Sequence, residues 1–173
     1  MSEFAGKRAL LIGGAGGIGG ATARTFIDLG AHVTVVDVNS ARLEQLAGQI
    51  DSPKLQTIAS AVDSIAECRR IFDLIDGQVD FLIHLAGILE PDFLDADHRD
   101  VWDRHIASHL TSAFDSCAIF RERLRPGQQA RIVLTSSVAY RRGSANHVAY
   151  SAAKGGIVGL TRALSRQLAP DVL

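Results

Sequence analysis

The chain has little cysteine and almost no net charge. Two of its 173 residues are cysteines, too few for a disulfide framework, and Cys68 and Cys117 stand at apolar positions of helix-like segments. We therefore expect reduced, buried thiols in a cytoplasmic protein. Lysine and arginine number 18 against 19 aspartates and glutamates, a balance that provides no electrostatic basis for a nucleic-acid or anionic-membrane partner.

Long hydrophobic runs are also missing. Residues 9–23 carry no charge and follow Lys7 and Arg8, as in a signal peptide, but their six glycines each disfavour a helix by roughly 1 kcal/mol relative to alanine. Since the rest of the chain has no uncharged stretch long enough to span a bilayer, we expect neither secretion nor membrane insertion. Hydrophobic residues at 47% and charged residues at 21% are ordinary globular values, which favours a single domain over residues 1–173.

Short apolar runs alternate with helix-length amphipathic segments, the pattern of repeated βαβ units. The predicted strands are 8–12, 32–36, 55–59, 79–85 and 130–135. Helices are predicted at 20–29, 99–125 and 150–169. The apolar stripe expected to bury the helix at 99–125 consists of Trp102, Ile106, Leu110, Ala113, Cys117, Phe120 and Leu124.

A glycine-rich loop joins the first predicted strand to the first helix. Gly13, Gly17 and Gly19 let the backbone turn tightly and approach a pyrophosphate, whose charge is favoured by the positive end of the helix dipole. Eighteen residues beyond Gly19, Asp37 ends the second apolar run, where a carboxylate accepts hydrogen bonds from an adenosine ribose and repels a 2′-phosphate. This pattern predicts NAD as cofactor in preference to NADP, and the alternative role for Asp37 is that of a turn residue beside a helix N-cap.

Ser137, Tyr150 and Lys154 form the candidate catalytic group. Tyr150 and Lys154 are four residues apart, so a helix places them on one face. Ser137 follows the fifth predicted strand, at the sheet edge where parallel sheets bind ligands. A tyrosine hydroxyl becomes a usable acid or base near neutral pH when an ammonium stands nearby, and Lys154 is placed to supply that charge.

Taken in order, these residues and Ala86-Gly87 resemble the short-chain dehydrogenase/reductase family, in the branch to which bacterial 3-oxoacyl carrier-protein reductases belong. The resemblance covers the whole chain and is strongest over residues 149–157. It implies hydride transfer between NAD and a small-molecule ketone or secondary alcohol. Tyr150 would be the general acid/base, Ser137 would hold the substrate oxygen, and Lys154 would bind the nicotinamide ribose and ease proton loss from Tyr150. The implied cofactor-binding residues are Gly13, Gly17, Ile18, Gly19, Asp37, Val62, Asp63, Ala86, Gly87, Tyr150 and Lys154.

The resemblance also implies the fold: α/β, a Rossmann-like doubly wound parallel sheet in three αβα layers with strand order 3-2-1-4-5. Because the sequence stops after the active-site helix, we expect the family's last strands to be lacking and the edge beside the fifth strand to be exposed. A homo-dimer or tetramer through the helices at 99–125 and 150–169 is implied. A non-catalytic NAD-binding module, acting as a sensor or subunit, is the alternative function.

Some positions depart from the family's pattern. Ile12 replaces a usual threonine, and His84-Leu85 replaces a usual pair of asparagines. Asp63 lies two residues past the register of the family's adenine-contacting aspartate, a register that Ala61 occupies.

His109 stands at the position of the family's catalytic asparagine, where we expect either its backbone carbonyl or its imidazole to take part in the proton relay. His105 and His109 have the i, i+4 spacing of a metal pair. Because no glutamate or cysteine completes a zinc set, we predict polar histidines on the helix surface and no metal site.

Overall fold

Five parallel strands form the centre of the protein. The computed structural model describes residues 3–92 and 94–173. The strands are β1 (Arg8–Ile12), β2 (His32–Asp37), β3 (Leu55–Ala59), β4 (Phe81–His84) and β5 (Arg131–Leu134). The α-helices are α1 (Gly17–Asp28), α2 (Ser40–Ile50), α3 (Ile65–Asp73), α4 (Arg99–Ile106), α5 (Ser112–Glu122), α6 (Ala139–Arg142) and α7 (Val148–Leu168). The sheet order is β3-β2-β1-β4-β5, so the predicted fold class and strand order are confirmed.

Alternate residues of each strand face the two sides of the sheet, and each side is covered by helices. On one side Leu10 and Leu82 pack with residues of α3, α5 and α7, such as Phe120. On the other side Leu11 and Val35 pack with residues of α1 and α2. Both faces of the parallel sheet are therefore buried, which explains why its strands read as nearly continuous apolar runs.

The predicted strand at 79–85 is longer than the observed β4. Its flanking residues still bond to β1, since Asp80 N donates to Arg8 O at 2.8 Å and Leu85 N donates to Ile12 O at 2.8 Å. The apolar run thus marks the paired region, while the regular ladder is shorter by two residues at its start and one at its end.

The helix predicted at 99–125 is interrupted. A π-helical turn at Ala107–Thr111 separates α4 from α5. Its wider turn rotates the buried face of the helix, so that His105 and His109 are buried while Trp102 is 36% exposed. The predictions of surface histidines and of a core Trp102 are therefore wrong.

Buried hydroxyls on the same segment are satisfied by carbonyl groups one turn earlier. Ser112 Oγ donates to Ser108 O, and Ser116 Oγ donates to Ser112 O, both at 2.7 Å. These local bonds allow small polar side chains to occupy an interior face that the apolar stripe was expected to fill.

The last residues of the chain bond to the outer edge of β5. Ala130 N donates to Asp171 O at 2.9 Å, and Ile132 N donates to Leu173 O at 2.9 Å. Residues 171–173 therefore run parallel to β5 and cover the first half of the edge that we expected to be exposed.

Both cysteines are free and buried, as predicted. Burial raises the pKa of the Cys68 thiol to about 11 and that of the Cys117 thiol to about 12, so neither is a thiolate near neutral pH. Within residues 3–92 and 94–173, no helix has the length and apolar character needed to cross a membrane.

The Asp80 carboxylate links the amino ends of β1 and β4 by hydrogen bonds. Its buried carboxylate accepts hydrogen bonds from Lys7 Nζ at 2.9 Å, Arg8 N at 2.9 Å and Gln128 Nε2 at 3.3 Å. Asp80→Ala should lower the free energy of unfolding by about 1 to 3 kcal/mol, because it leaves the Arg8 backbone amide without its acceptor and removes the ion pair with Lys7. A lower denaturant midpoint at unchanged m-value would show this, and an unchanged midpoint would contradict it.

Candidate active site

The backbone of the glycine loop after β1 lies very close to the backbone of the loop after β4. Gly13 N and Gly14 N both donate to Val36 O, at 2.8 and 3.2 Å. Gly13 has a φ of 75°, and a Cβ at this position would overlap the backbone of Ala86. Only glycine fits here, so the close approach of these two loops depends on the absence of a side chain at Gly13.

The amino end of α1 faces the same loop. Gly16 is the N-cap residue and makes no side-chain capping bond. Gly20 N donates to Gly16 O at 2.8 Å, so the helical ladder begins there, and the amides before it are the ones that a helix leaves without an intrahelical partner. Together with the positive end of the helix dipole, they suit a pyrophosphate. Ile18, 72% exposed, lies on the rim of this site.

Asp37 accepts hydrogen bonds from both the glycine loop and the residue that caps α2. Its Oδ2 accepts from Ala15 N and its Oδ1 accepts from Asn39 N, both at 3.0 Å. Each carboxylate oxygen can accept a further hydrogen bond, so the turn role and the ribose role are compatible. The two predicted cofactor-binding residues after β3 differ in burial. Val62 is half-buried against the core, whereas Asp63 is exposed in an open pocket beside α3.

Lys154 and Tyr150 lie on one face of α7, as predicted. The Lys154 side chain is 5% exposed, and its Nζ donates to Thr135 O at 2.8 Å and lies 5.7 Å from the centre of the Tyr150 ring. Burial lowers the pKa of the lysine ammonium below its ordinary value. Ser136 Oγ donates to Lys154 O at 2.8 Å. Lys154 therefore donates to the segment after β5 through its side chain and accepts from it through its backbone carbonyl.

Ser137 stands where β5 ends and α6 is about to begin. Its Oγ accepts from Ala139 N at 3.2 Å, and its carbonyl accepts from Tyr140 N at 3.2 Å. The hydroxyl hydrogen is left free to donate elsewhere. Ser137, the loop of Ala86 and Gly87, and the glycine loop therefore all follow the carboxyl ends of strands, at one edge of the sheet.

His109 is buried in the π-helical turn beside Tyr150. Its Nε2 donates to Ile88 O at 2.7 Å, and the two rings meet edge to face with centres 5.2 Å apart. Burial lowers the pKa of His109 to about 4, so the ring is neutral at pH 7 and its Nδ1 carries a lone pair. That Nδ1 has no hydrogen-bond partner among the residues described. A Cβ on Gly87 would overlap the imidazole, so glycine is required there to admit the ring.

His84 joins β4 to the start of α5. Its Nε2 lies 2.9 Å from Ser112 Oγ, and because that hydroxyl donates to Ser108 O, the imidazole must donate to the hydroxyl. Burial lowers the pKa of His84 to about 3. This bond connects β4 with the start of α5, and it is made by a residue that replaces one of the family's two usual asparagines.

Two features of the site were not predictable from the sequence. Asp92 is buried, and its Oδ1 accepts from Ala149 N, one residue before Tyr150, at 2.8 Å. Thr135 holds Lys154 through a backbone carbonyl, a group that every residue possesses, so the sequence contains no signal for it. Across the described ranges, 3–92 and 94–173, no group of three or more histidine, cysteine, aspartate or glutamate side chains is placed to hold a metal ion.

The chain is similar to known proteins in sequence and in fold. A family model described as short chain dehydrogenase matches residues 7–172. An uncharacterized short-chain type dehydrogenase/reductase of Sinorhizobium fredii is 34% identical, with 96% of this chain and 70% of the relative covered.

Two solved structures from Brucella melitensis are similar in fold. One, a short-chain dehydrogenase/reductase described as a glucose/ribitol dehydrogenase, has a TM-score of 0.91 at 32% identity and covers 98% of this chain and 70% of its own. The other, a 3-ketoacyl-(acyl-carrier-protein) reductase complexed with NADH, has a TM-score of 0.90 at 25% identity, with coverage of 98% and 73%. The chain thus spans about 70% of the length of these relatives.

Gly13→Ala should disrupt the contact between the two loops. Alanine at a φ of 75° is strained, and its methyl group would overlap the Ala86 backbone, so we expect the free energy of unfolding to fall by about 2 to 5 kcal/mol. Gly48→Ala is the matched control, because Gly48 lies within α2 and a Cβ there would meet open space. This substitution should raise the free energy of unfolding by up to about 1 kcal/mol. Chemical denaturation measures both, and equal effects would contradict the steric argument.

The buried histidines make the fold sensitive to mild acid. In the unfolded chain both imidazoles bind a proton near pH 6.5, whereas in the folded chain the pKa values are about 3 for His84 and about 4 for His109. The unfolded state therefore binds more protons, and stability should fall between pH 6.5 and 4 by up to about 1.4 kcal/mol per pH unit for each histidine. Denaturation at a series of pH values measures the slope. His109→Asn should remove the His109 contribution and leave that of His84, so the slope should fall by about half, and an unchanged slope would contradict this assignment.

Proposed function

The chain belongs to the short chain dehydrogenase family, and from that membership we propose that it is an NAD(H)-dependent oxidoreductase that interconverts a carbonyl and a secondary alcohol. The observation that carries the proposal is the joint placement of Ser137, Tyr150 and Lys154 at the sheet edge that also holds the glycine loop. A module that only binds a nucleotide needs no proton donor, and the pairing of Tyr150 with the buried Lys154 supports one here.

NAD(H) is the proposed cofactor, in preference to NADP(H). Asp37 supports it, because its carboxylate would accept hydrogen bonds from a ribose hydroxyl and would repel a phosphate at that position. The Brucella melitensis reductase complexed with NADH supports a nicotinamide cofactor of this kind. When bound, the nicotinamide supplies or accepts the hydride.

Each predicted binding residue has a proposed part in holding this cofactor. The glycine loop and the amino end of α1 would hold the pyrophosphate. The loop after β4 would border the cofactor, and Tyr150 and Lys154 would contact the nicotinamide ribose. The residues proposed to bind it are Gly13, Gly17, Ile18, Gly19, Asp37, Val62, Asp63, Ala86, Gly87, Tyr150 and Lys154.

Tyr150 is the proposed general acid/base. In the direction of reduction its hydroxyl donates a proton to the substrate oxygen, and in the direction of oxidation the same oxygen atom of Tyr150 takes the proton back. Ser137 donates a hydrogen bond to the substrate oxygen and so stabilises the negative charge that develops there. The Lys154 ammonium, held in place by Thr135 O, stabilises the tyrosinate.

His109 is the proposed fourth member of the catalytic group. Its neutral ring lies beside Tyr150, and its buried Nδ1 accepts no hydrogen bond from the described residues. Either this imidazole or the backbone carbonyl of His109 is the proposed participant in the proton relay that supports Tyr150.

The helices at 99–125 and 150–169 are the proposed contact between copies of the chain in a homo-dimer or tetramer. Phe114 on α5 is 55% exposed, an apolar side chain that such a contact would cover. The free, buried cysteines support a reducing compartment, and we propose the cytoplasm.

Tyr150→Phe should lower the rate of carbonyl reduction by about 100-fold or more, because the proton donor is removed. Its Kd for NADH should stay within about tenfold of the unchanged chain, since the hydroxyl contributes one hydrogen bond among many. NADH oxidation with a panel of ketones measures the rate, and nicotinamide fluorescence measures binding of NADH and NADPH.

Tyr140→Phe is the matched control for this experiment. Tyr140 lies on α6 and is 41% exposed, so the same substitution there should leave the rate unchanged. NADH binding without turnover of any ketone or secondary alcohol would favour the non-catalytic module. Tighter binding of NADPH than of NADH would contradict the role of Asp37.

A further inference from the structure

Asp92 and His105 form a buried polar pair directly behind the candidate active site. Asp92 is 4% exposed in the segment after β4, and His105 on α4 is completely buried. Asp92 Oδ2 and His105 Nε2 lie 3.9 Å apart. Neither atom has a hydrogen-bond partner elsewhere in the described part of the chain.

The hydrogen bonds around this pair determine where a proton is needed. His105 Nδ1 lies 2.9 Å from Val101 O, and because a carbonyl only accepts, Nδ1 must carry a hydrogen. In a neutral ring Nε2 would then be a lone pair facing the lone pairs of Asp92 Oδ2, with both atoms buried and unsatisfied. A second hydrogen on the ring removes this conflict, because the imidazolium then faces a carboxylate.

The proton belongs on His105 for a simple reason. An imidazole binds a proton more tightly than a carboxylate does in water, so a proton shared by the two groups resides mainly on the ring. A buried carboxylate without a partner is costly, whereas a paired one is tolerated. The other titratable ring facing His105 is that of His109, stacked with centres 6.0 Å apart, and it is neutral at pH 7.

The second oxygen of Asp92 caps the active-site helix. Asp92 Oδ1 accepts from Ala149 N at 2.8 Å, and Asp92 N donates to Asn146 O at 2.9 Å. His147, the N-cap residue of α7, makes no side-chain capping bond of its own. The cap is thus supplied by Asp92, which is 57 positions earlier in the chain than the capped residue. The capped amide belongs to Ala149, one residue before Tyr150.

We propose that the Asp92 carboxylate and the His105 imidazolium form a buried ion pair that fixes the start of α7 and so positions Tyr150. Asp92 and His105 are positioning residues, since neither is placed to contact the substrate. The ion pair and the cap stand on the geometry alone, and the consequence for catalysis rests on the proposed function. The geometry supplies a second link to Tyr150 as well, because the His109 ring stacks with that of His105 at 6.0 Å between centres and meets the Tyr150 ring edge to face at 5.2 Å.

The protonation of His105 is tested directly by NMR of the full chain carrying ¹⁵N-labelled histidine. At pH 7 we expect both ring nitrogens of His105 to be protonated, with Nδ1 of His109 unprotonated. Asp92→Asn should remove the Nε2 proton of His105, because the asparagine amide donates to the Nε2 lone pair and its oxygen still caps Ala149 N. An unprotonated Nε2 in the unsubstituted chain would overturn the ion pair.

The positioning role is tested by comparing Asp92→Ala with Asp92→Asn. Asp92→Ala should speed hydrogen exchange at the Ala149 amide by about tenfold, because the cap is lost. It should also lower kcat by about tenfold or more while the Kd for NADH stays within about twofold, since misplacement of Tyr150 affects the proton transfer. Asp92→Asn should stay within about threefold of the unsubstituted chain in both measurements, since the cap remains.

Asp80→Ala is the matched control, because it removes a buried carboxylate that accepts from a backbone amide at the opposite edge of the sheet. It should lower stability without changing kcat or exchange at Ala149. If Asp92→Ala behaves like Asp80→Ala, the positioning role is wrong. If the unsubstituted chain turns over no substrate, the proposed function fails, while the NMR and exchange measurements still decide the ion pair and the cap. If Asp92→Ala does not fold, Asp92→Asn decides the question: loss of kcat with retained protonation of Nε2 would overturn the proposal.

Discussion

Backbone hydrogen bonds hold β1 between two parallel neighbours, with Leu11 level with Val35 of β2 on one side and with Ile83 of β4 on the other. Parallel strands all end at the same edge, so the loops after them open onto one crevice. The overlap that a Cβ on Gly13 would make with Ala86 shows how closely two of these loops approach. The register of the sheet therefore determines the geometry of the candidate site, because the loops that carry its side chains already lie at the crevice.

Features encoded by neighbouring residues were predictable from the sequence. The apolar runs located the strands, the glycines located the loop after β1, and the spacing of Tyr150 and Lys154 placed both on one face of α7. The buried face of α4 was not predictable, because the apolar stripe assumed a constant 3.6 residues per turn and the π-helical turn breaks that period. The cap from Asp92 to Ala149 was not predictable either, because the two residues are 57 positions apart and meet only in the folded chain.

Histidine serves three different purposes in the interior. His84 donates to a hydroxyl and links the sheet to α5, while His109 donates to a carbonyl and keeps a lone pair beside Tyr150. His105 is bound at Nδ1 and faces a carboxylate at Nε2. Two of the three rings are kept neutral by burial, which suits a site that needs fixed hydrogen bonds more than additional charge.

The π-helical turn at Ala107–Thr111 also sets how this region tolerates changes in length. An α-helix rotates by about 100° per residue and a π-helical turn rotates less, so this turn accommodates about one residue more than a regular helix would over the same rotation. The buried residues before the turn are therefore offset by one position from the regular stripe, which places His105 rather than Ile106 in the interior. Deleting one residue within the turn would keep α4 and α5 in phase, whereas the same deletion within α5 would rotate α4 by about 100° about its axis and carry His105 out of the interior.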